Sequence, residues 1–499
     1  MSSKTGTSGF SLFGDSIRSL GVLEIDGQMS DTDSGKYNVG VAGLGGMGRS
    51  IAQNISSHRF QVATCDPHPQ RGADLPEDLA RDPVLHAQTL PELAGLLHQP
   101  RTIFIFGETE AETDAIMDEL LPHLAPRDLL IDAGDSNYKD AERRARKLSE
   151  RSIEFMGLGI AVGDAAARQG VMIMAGGRRD VYARTRPLLE ALAANIKGGP
   201  SVGYLGSAAG ACFARMVHAG IEYGLMQLVS ETFDLMQRTL ELSDEQLHDV
   251  SSAWHRGVLN GYLAEVSGHL FNPVDEGTER LEIKEKLNAL KNDPAPRWIA
   301  QSARELSVPT PTIDVALGTQ DFSARERQRS LILTPFRHPS GRFGDDAESV
   351  LEELLGALYA AMIITYAEGF ALLAEGSAQH GFHFDPVEVA RIWKGGCSMR
   401  TTLLDDIAAA LRATPTLLNL LCDEDLAEKV MAHQEFLRHA VWRASELDTV
   451  VPGLLASLDY LDSFRDAWLP VNLVQVQRDQ KQRGGNHEWE TEETLTMGL

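Results

Sequence analysis

The run Gly43-Leu44-Gly45-Gly46-Met47-Gly48 sets Gly43, Gly45 and Gly48 in the spacing G-x-G-x-x-G. That spacing suits a pyrophosphate. Glycine permits a tight turn, lets the backbone approach the anion, and lets the following helix pack closely. The amides of Gly46, Met47 and Gly48 at a helix start, with the positive end of the helix dipole, would face the phosphates. Asp66 stands 18 residues beyond Gly48. A carboxylate at the end of the second strand can accept both hydroxyls of an adenosine ribose and repel a 2′-phosphate, which predicts NAD as cofactor with NADP disfavoured.

Elements must exist to hold these groups, and the flanks supply them. Val39 to Ala42 is a short apolar run entering the glycines, and Ile51, Ala52 and Ile55 continue as a helix face. Gln61 to Cys65, Ile103 to Phe106 and Leu129 to Asp132 are further short strands separated by amphipathic stretches. That alternation predicts an α/β Rossmann-type domain with a parallel sheet covered on both faces. Beyond Gly206 the periodicity is helical, as in Phe213, Met216, Val217 and Ile221, then from Val350 to Leu373 and from Leu426 to Leu461. A large all-α domain follows from it. The expected division is a flexible N-terminal extension over 1–36, a dinucleotide-binding domain over 37–205, a helical domain over 206–476 and a polar tail over 477–499.

Composition narrows the partners. The 499 residues carry 46 Lys+Arg against 71 Asp+Glu, a formal net charge of −25. Nucleic acid and anionic membrane both select clustered basic residues, so neither is an expected partner. No run of 18 apolar residues stands out as a membrane span. The cysteines Cys65, Cys212, Cys397 and Cys422 are scattered without a C-x-x-C pair. They read as reduced thiols of a cytoplasmic protein, with no metal site.

Several blocks carry a family resemblance. Ile131-Asp132-Ala133-Gly134-Asp135-Ser136-Asn137-Tyr138, Gly157-Leu158-Gly159 and Gly176-Gly177 resemble signature blocks of 6-phosphogluconate dehydrogenases. Met216-Val217-His218-Ala219-Gly220-Ile221-Glu222-Tyr223-Gly224 resembles the family's catalytic helix, and Tyr366-Ala367-Glu368-Gly369-Phe370, Trp393-Lys394-Gly395-Gly396-Cys397 and Gln477-Arg478-Asp479 resemble blocks of its helical domain. The resemblance implies a dimer whose tail reaches the partner subunit. Its catalytic helix presents a lysine, an asparagine, a glutamate and a tyrosine on one face, as the spacing i, i+4, i+7, i+8 requires.

Here those four positions are Arg215, Ala219, Glu222 and Tyr223. The family's lysine takes the proton of the 3-hydroxyl, and its glutamate protonates the enediol left by decarboxylation. A lysine can be tuned to that duty, whereas arginine stays protonated and cannot act as a base. His218 is a conceivable replacement base, although the family carries histidine there as a structural neighbour. At the substrate carboxyl the family's Ser-Gly-Gly becomes Ala161-Val162-Gly163, and its phosphate ligands become Asp293, Ala295 and Gln320. An aspartate against a phosphate would cost about 1–4 kcal/mol. Tyr223, Arg478 and His487 survive, the last two contributed by the partner in the family. On the cofactor side, Asp66-Pro67-His68 replaces the family's 2′-phosphate grip, Asp135 replaces an asparagine near the nicotinamide ribose, and Arg71 leaves room for NADP.

These departures predict an NAD-dependent enzyme acting on a hydroxyl of a sugar, polyol or sugar-bearing small molecule that lacks the 6-phosphate. Two alternatives stand beside it. One is a redox-neutral dehydratase (a lyase) using tightly bound NAD. The other is a non-catalytic or half-site subunit in a heterodimer with a related chain, against the homodimer that the resemblance implies. An ordinary 6-phosphogluconate dehydrogenase is disfavoured on the same residues.

Overall fold

The computed structural model describes residues 37–68, 84–161, 166–271, 295–323, 325–333, 346–395 and 399–482. The extension over 1–36, Arg71, Gly163, Asp293, Gly396, Cys397 and His487 lie outside the described residues, as does the side chain of Ala295.

Among the described residues the first half is built on ten strands: β1 (Val39–Ala42), β2 (Val62–Cys65), β3 (Val84–His86), β4 (Thr102–Ile105), β5 (Leu129–Asp132), β6 (Glu154–Ala161), β7 (Met172–Gly177), β8 (Asn195–Ile196), β9 (Gly199–Pro200) and β10 (Val202–Tyr204). Between them run α1 (Gly46–Ser57), α2 (Leu90–Leu96), α3 (Glu110–Leu120), α4 (Tyr138–Ser149) and α5 (Arg179–Leu192). Eight strands form one sheet in the order β10-β7-β6-β5-β4-β1-β2-β3, and β8 pairs with β9. The sheet is parallel from β3 to β6, as the strand–helix alternation predicts. β7 departs from that pattern by pairing antiparallel with β6, and β10 runs parallel to β7. A parallel return needs a long crossover, usually a helix. Only a 3-10 turn (Ala166–Arg168) is described between β6 and β7, so the chain doubles back.

The second half is helical: α6 (Ala208–Thr239), α7 (Asp244–Arg256), α8 (Tyr262–Leu270), α9 (Ala295–Glu305), α10 (Pro311–Ser323), α11 (Glu326–Leu333), α12 (Ala347–His380), α13 (Pro386–Ile392), α14 (Leu403–Ala413), α15 (Glu424–Glu446), α16 (Pro452–Arg465) and α17 (Val471–Gln482). The architecture is thus a Rossmann-type domain followed by a large all-α domain. Alternation along β1 shows how the two join. Val39 and Val41 face a core shared with Ile51 and Ile55 of α1, while Ala42 belongs to the opposite face, whose core runs on through Phe213, Val217 and Ile221 into the helices. α12 is long and apolar enough to cross a membrane by length and composition, but 89% of its most apolar stretch is buried inside the protein.

α6 sits directly on the sheet because three strand positions lack a side chain. A Cβ on Gly159 would lie 2.6 Å from the Arg215 Cβ, one on Gly176 2.0 Å from the Ser207 carbonyl oxygen, and one on Gly157 2.7 Å from that of Ala208. Ser207 caps the helix by accepting the amide of Gly210 at 3.1 Å.

Two buried glutamates fasten the outer helices to this centre. Glu368 of α12 accepts the amides of Thr312 and Ile313 at the start of α10, at 3.0 and 3.2 Å. Glu231 of α6 accepts those of Gly453 and Leu454 at the start of α16, at 2.7 and 2.9 Å. Each carboxylate satisfies two amides that helix geometry leaves without an acceptor. Burial pushes the Glu368 carboxyl up to about 8, against the opposing pull of its hydrogen bonds. Its pKa is therefore raised on folding, and the stability it contributes is full below its unfolded value and is lost as pH rises through about 8. Denaturant unfolding of wild type and Glu368→Gln between pH 5.5 and 7.5 is expected to show wild type losing up to about 1.4 kcal/mol per pH unit relative to the variant. Parallel pH profiles would contradict this.

Candidate active site

The glycine loop is folded as its spacing predicts. Gly43 takes φ +93°, and a Cβ there would meet the Phe106 carbonyl oxygen at 2.2 Å; one on Gly48 would meet the Gly43 oxygen at 2.0 Å. Side chains are therefore excluded where α1 begins. Gly45 is its N-cap and supplies no side-chain cap, and the first turn carries no acidic residue. The amides of Gly46, Met47 and Gly48 have no acceptor within the helix. Such a cradle fits a dinucleotide pyrophosphate.

Asp66 does not face outward as a ribose reader would. It is buried, and its Oδ2 accepts the Leu44 amide at 2.6 Å while Oδ1 accepts that of His68 at 2.7 Å. Both oxygens are engaged in holding the glycine loop to the end of β2. His68 follows at the surface with its ring 59% exposed and Nε2 3.4 Å from Glu112.

The loop after β5 is fixed by a buried ion network. Arg144 of α4 is fully enclosed and donates through Nη1 to Asp132 at 3.0 Å and to the Ser136 hydroxyl at 2.8 Å, through Nε to Asp114 at 2.8 Å, and through Nη2 to Glu110. Asp132 Oδ1 accepts the Ser136 hydroxyl at 3.1 Å, and Glu110 accepts the amide of Asn137. Burial lifts the Asp132 carboxyl to about 6, with the Arg144 charge opposing. The chain 133–137 is thus tied at Ser136 and Asn137, on the far side of Asp135.

α6 brings Arg215 to this loop. Arg215 Nε donates to the Ile160 carbonyl at 2.9 Å and lies 3.3 Å from Asp135 Oδ1. Asp135 is 53% exposed and Arg215 19%. Glu222, seven residues on, is about 10 Å further along the axis, 25% exposed, with Oε2 3.8 Å from His218 Nδ1. His218 is completely buried, edge-on to the Trp393 indole at 5.4 Å between ring centres. Burial, with the Arg215 charge, holds its imidazole well below the usual range, so the ring is neutral. Tyr223 is buried, and Arg478 is exposed on α17. The fold thus sets Gly43–Gly48, Asp66 and Asp135 at the carboxyl ends of the parallel strands and brings Arg215 to Asp135, with His218 enclosed beneath and Arg478 exposed on α17.

The family model for the NAD binding domain of 6-phosphogluconate dehydrogenase matches residues 38–203, and that for the 6-phosphogluconate dehydrogenase C-terminal domain matches residues 211–495. The chain belongs to the 6-phosphogluconate dehydrogenase family. It is 35% identical over 449 residues to the decarboxylating 6-phosphogluconate dehydrogenase of Synechocystis sp., covering 89% of this chain and 93% of the relative. It is 34% identical over 448 residues to the NADP(+)-dependent, decarboxylating enzyme of Bacillus subtilis, covering 89% and 95%. Among solved structures, the Plasmodium falciparum 6-phosphogluconate dehydrogenase, studied with its cofactor NADP+ and its substrate 6-phosphogluconate, superposes with a TM-score of 0.81 at 29% identity, covering 91% of this chain and 98% of that one.

These relatives correct four expectations. NAD as the preferred cofactor is overturned by the NADP of the Bacillus and Plasmodium enzymes. The physical reason is visible at Asp66, whose two carboxylate oxygens already receive backbone amides. A substrate without phosphate is overturned by the phosphorylated sugar acid of the Plasmodium enzyme. That expectation set the changes at Asp293, Ala295 and Gln320 above the surviving Tyr223, Arg478 and His487. The dehydratase and half-site alternatives rested on the same premise and fall with it.

Sequence reasoning passed over Arg144. A signal was present: it lies three residues after Ala141 and four before Leu148, on the buried face of α4, among basic residues that otherwise face water.

Proposed function

We propose that the chain catalyses the NADP-dependent oxidative decarboxylation of 6-phosphogluconate. The observation that carries this reading is the convergence of the glycine cradle, the loop bearing Asp135 and the α6 face bearing Arg215 and Glu222 on one sheet edge, within a chain that matches its relatives nearly end to end. When bound, the nucleotide takes the hydride from the hydroxyl carbon. Gly43, Gly45, Gly46, Met47 and Gly48 would hold its pyrophosphate, and His68 lies at the end of β2 where a 2′-phosphate needs a partner. The guanidinium of Arg215 stabilises negative charge on the ketone oxygen as carbon dioxide departs. Glu222 then protonates the remaining carbon. Tyr223, Arg478 and His487 receive the phosphate in this reading.

The catalytic helix does this with arginine at 215 and alanine at 219, an altered version of the residues that the resemblance implies. A pair of chains completes the site in this reading, with Arg478 and His487 crossing from a second copy. Its support is α17, where Val471, Leu473, Val474 and Val476 are exposed. Assays with NADP+ or NAD+, and with 6-phosphogluconate or gluconate, test the reading. One carbon dioxide per NADPH is expected, with at least about tenfold preference for NADP+ and for the phosphorylated acid, a difference of about 1.4 kcal/mol each. NADPH without carbon dioxide, or equal rates with gluconate, would overturn it.

A further inference from the structure

We infer that Asp135 is the base that takes the proton of the substrate hydroxyl, with Arg215 as its fixed cationic partner. The inference rests on the reaction proposed above. An oxidation of this kind needs a group that can accept a proton at the hydroxyl. Arg215 occupies the centre of the site but stays protonated at any working pH. His218 presents no surface to the cleft and is packed behind α6 against Trp393. Glu222 lies two helical turns away from Arg215. Asp135 meets Arg215 at 3.3 Å among the described residues, and it is half exposed just beyond the carboxyl end of β5, where open α/β sheets bind their ligands.

Its placement is not that of a surface side chain free to wander. The following residues Ser136 and Asn137 are tied to Arg144, Asp132 and Glu110, and Arg215 is itself anchored to the Ile160 carbonyl. Asp132, Glu110 and Arg144 are locked in one network beneath the loop, and Arg215 faces Asp135 from α6.

The chemistry balances as follows. The hydroxyl O–H bond breaks and its proton passes to a carboxylate oxygen of Asp135. The O–H electron pair forms the C=O bond, and the carbinol hydrogen leaves with its pair as hydride to NADP+, the oxidant. Arg215 holds the new ketone oxygen. Asp135, half exposed, then returns its proton to solvent.

The test compares wild type, Asp135→Asn, Arg215→Lys and the double variant, measuring kcat/KM against pH and NADP+ affinity by fluorescence titration. Asp135→Asn is expected to lower kcat/KM by about 10²–10⁴-fold, the range of a lost general base, and to bind NADP+ as wild type does. The double variant is expected to regain at least about tenfold over Asp135→Asn, with its pH profile moved to the alkaline side, because lysine can lose a proton where arginine cannot. Near-wild-type turnover in Asp135→Asn would overturn the assignment. So would a loss confined to NADP+ affinity, or a double variant as slow as Asp135→Asn. Wild-type protein that binds NADP+ yet never oxidises 6-phosphogluconate would instead overturn the proposed reaction, and this inference with it.

Discussion

Replacing Arg144 with methionine is expected to destabilise the protein by about 3–5 kcal/mol, the cost of removing one partner from a buried ion network. Methionine fills much of the volume but leaves Asp132, fully buried, without its cation, and Glu110 and Asp114 with one donor fewer. The neighbouring Arg143 provides the contrast. It also pairs with Asp114, at 2.6 Å, but is 46% exposed, so Arg143→Met should cost less than about 1 kcal/mol. Thermal unfolding separates the two, with a fall of at least about 6 °C for the first and little change for the second. The deficit of the first should shrink toward pH 5, because protonation of Asp132 removes the uncompensated charge. Equal, small shifts in both variants would show that the network contributes no more than a surface pair.

Replacing Glu222 with glutamine is expected to reduce kcat by about 10²–10⁴-fold with little change in NADP+ affinity. Glutamine keeps the shape and hydrogen-bonding reach of the side chain but can neither give nor take a proton. Glu222 is partly exposed on α6, with Oε2 3.8 Å from His218 Nδ1, so its carboxyl can exchange a proton with solvent. If hydride transfer precedes protonation, the variant should still form NADPH in a first, single turnover while steady-state release of product stalls. Unimpaired steady-state turnover would remove Glu222 from the reaction.

The parts of this site that were legible in the sequence are those where backbone geometry dictates residue type. Gly43 and Gly48 are required because a Cβ would strike a carbonyl oxygen, and any sequence folding this way must show them. The helical second half was legible for a similar reason, since a helix as long and buried as α12 needs a long apolar pattern. Asp66 was not legible in the same way. Position shows that an acid closes β2, but not that its oxygens turn inward to the Leu44 and His68 amides. Arg144 was hidden by composition, one inward arginine among outward ones. Asp135 and Arg215 are 80 residues apart in the chain, and only the packing of α6 on β6 makes them neighbours.

That packing has a consequence for how such an enzyme changes its chemistry over time. Three absent methyl groups, at Gly157, Gly159 and Gly176, press α6 onto the sheet that carries the glycine loop. Backbone meets backbone at these three points, so a tilt of α6 on the strands is resisted by direct contact. On such a frame the economical way to alter chemistry is to exchange side chains in place, in matched pairs such as 135 with 215, across a gap whose width the glycines set.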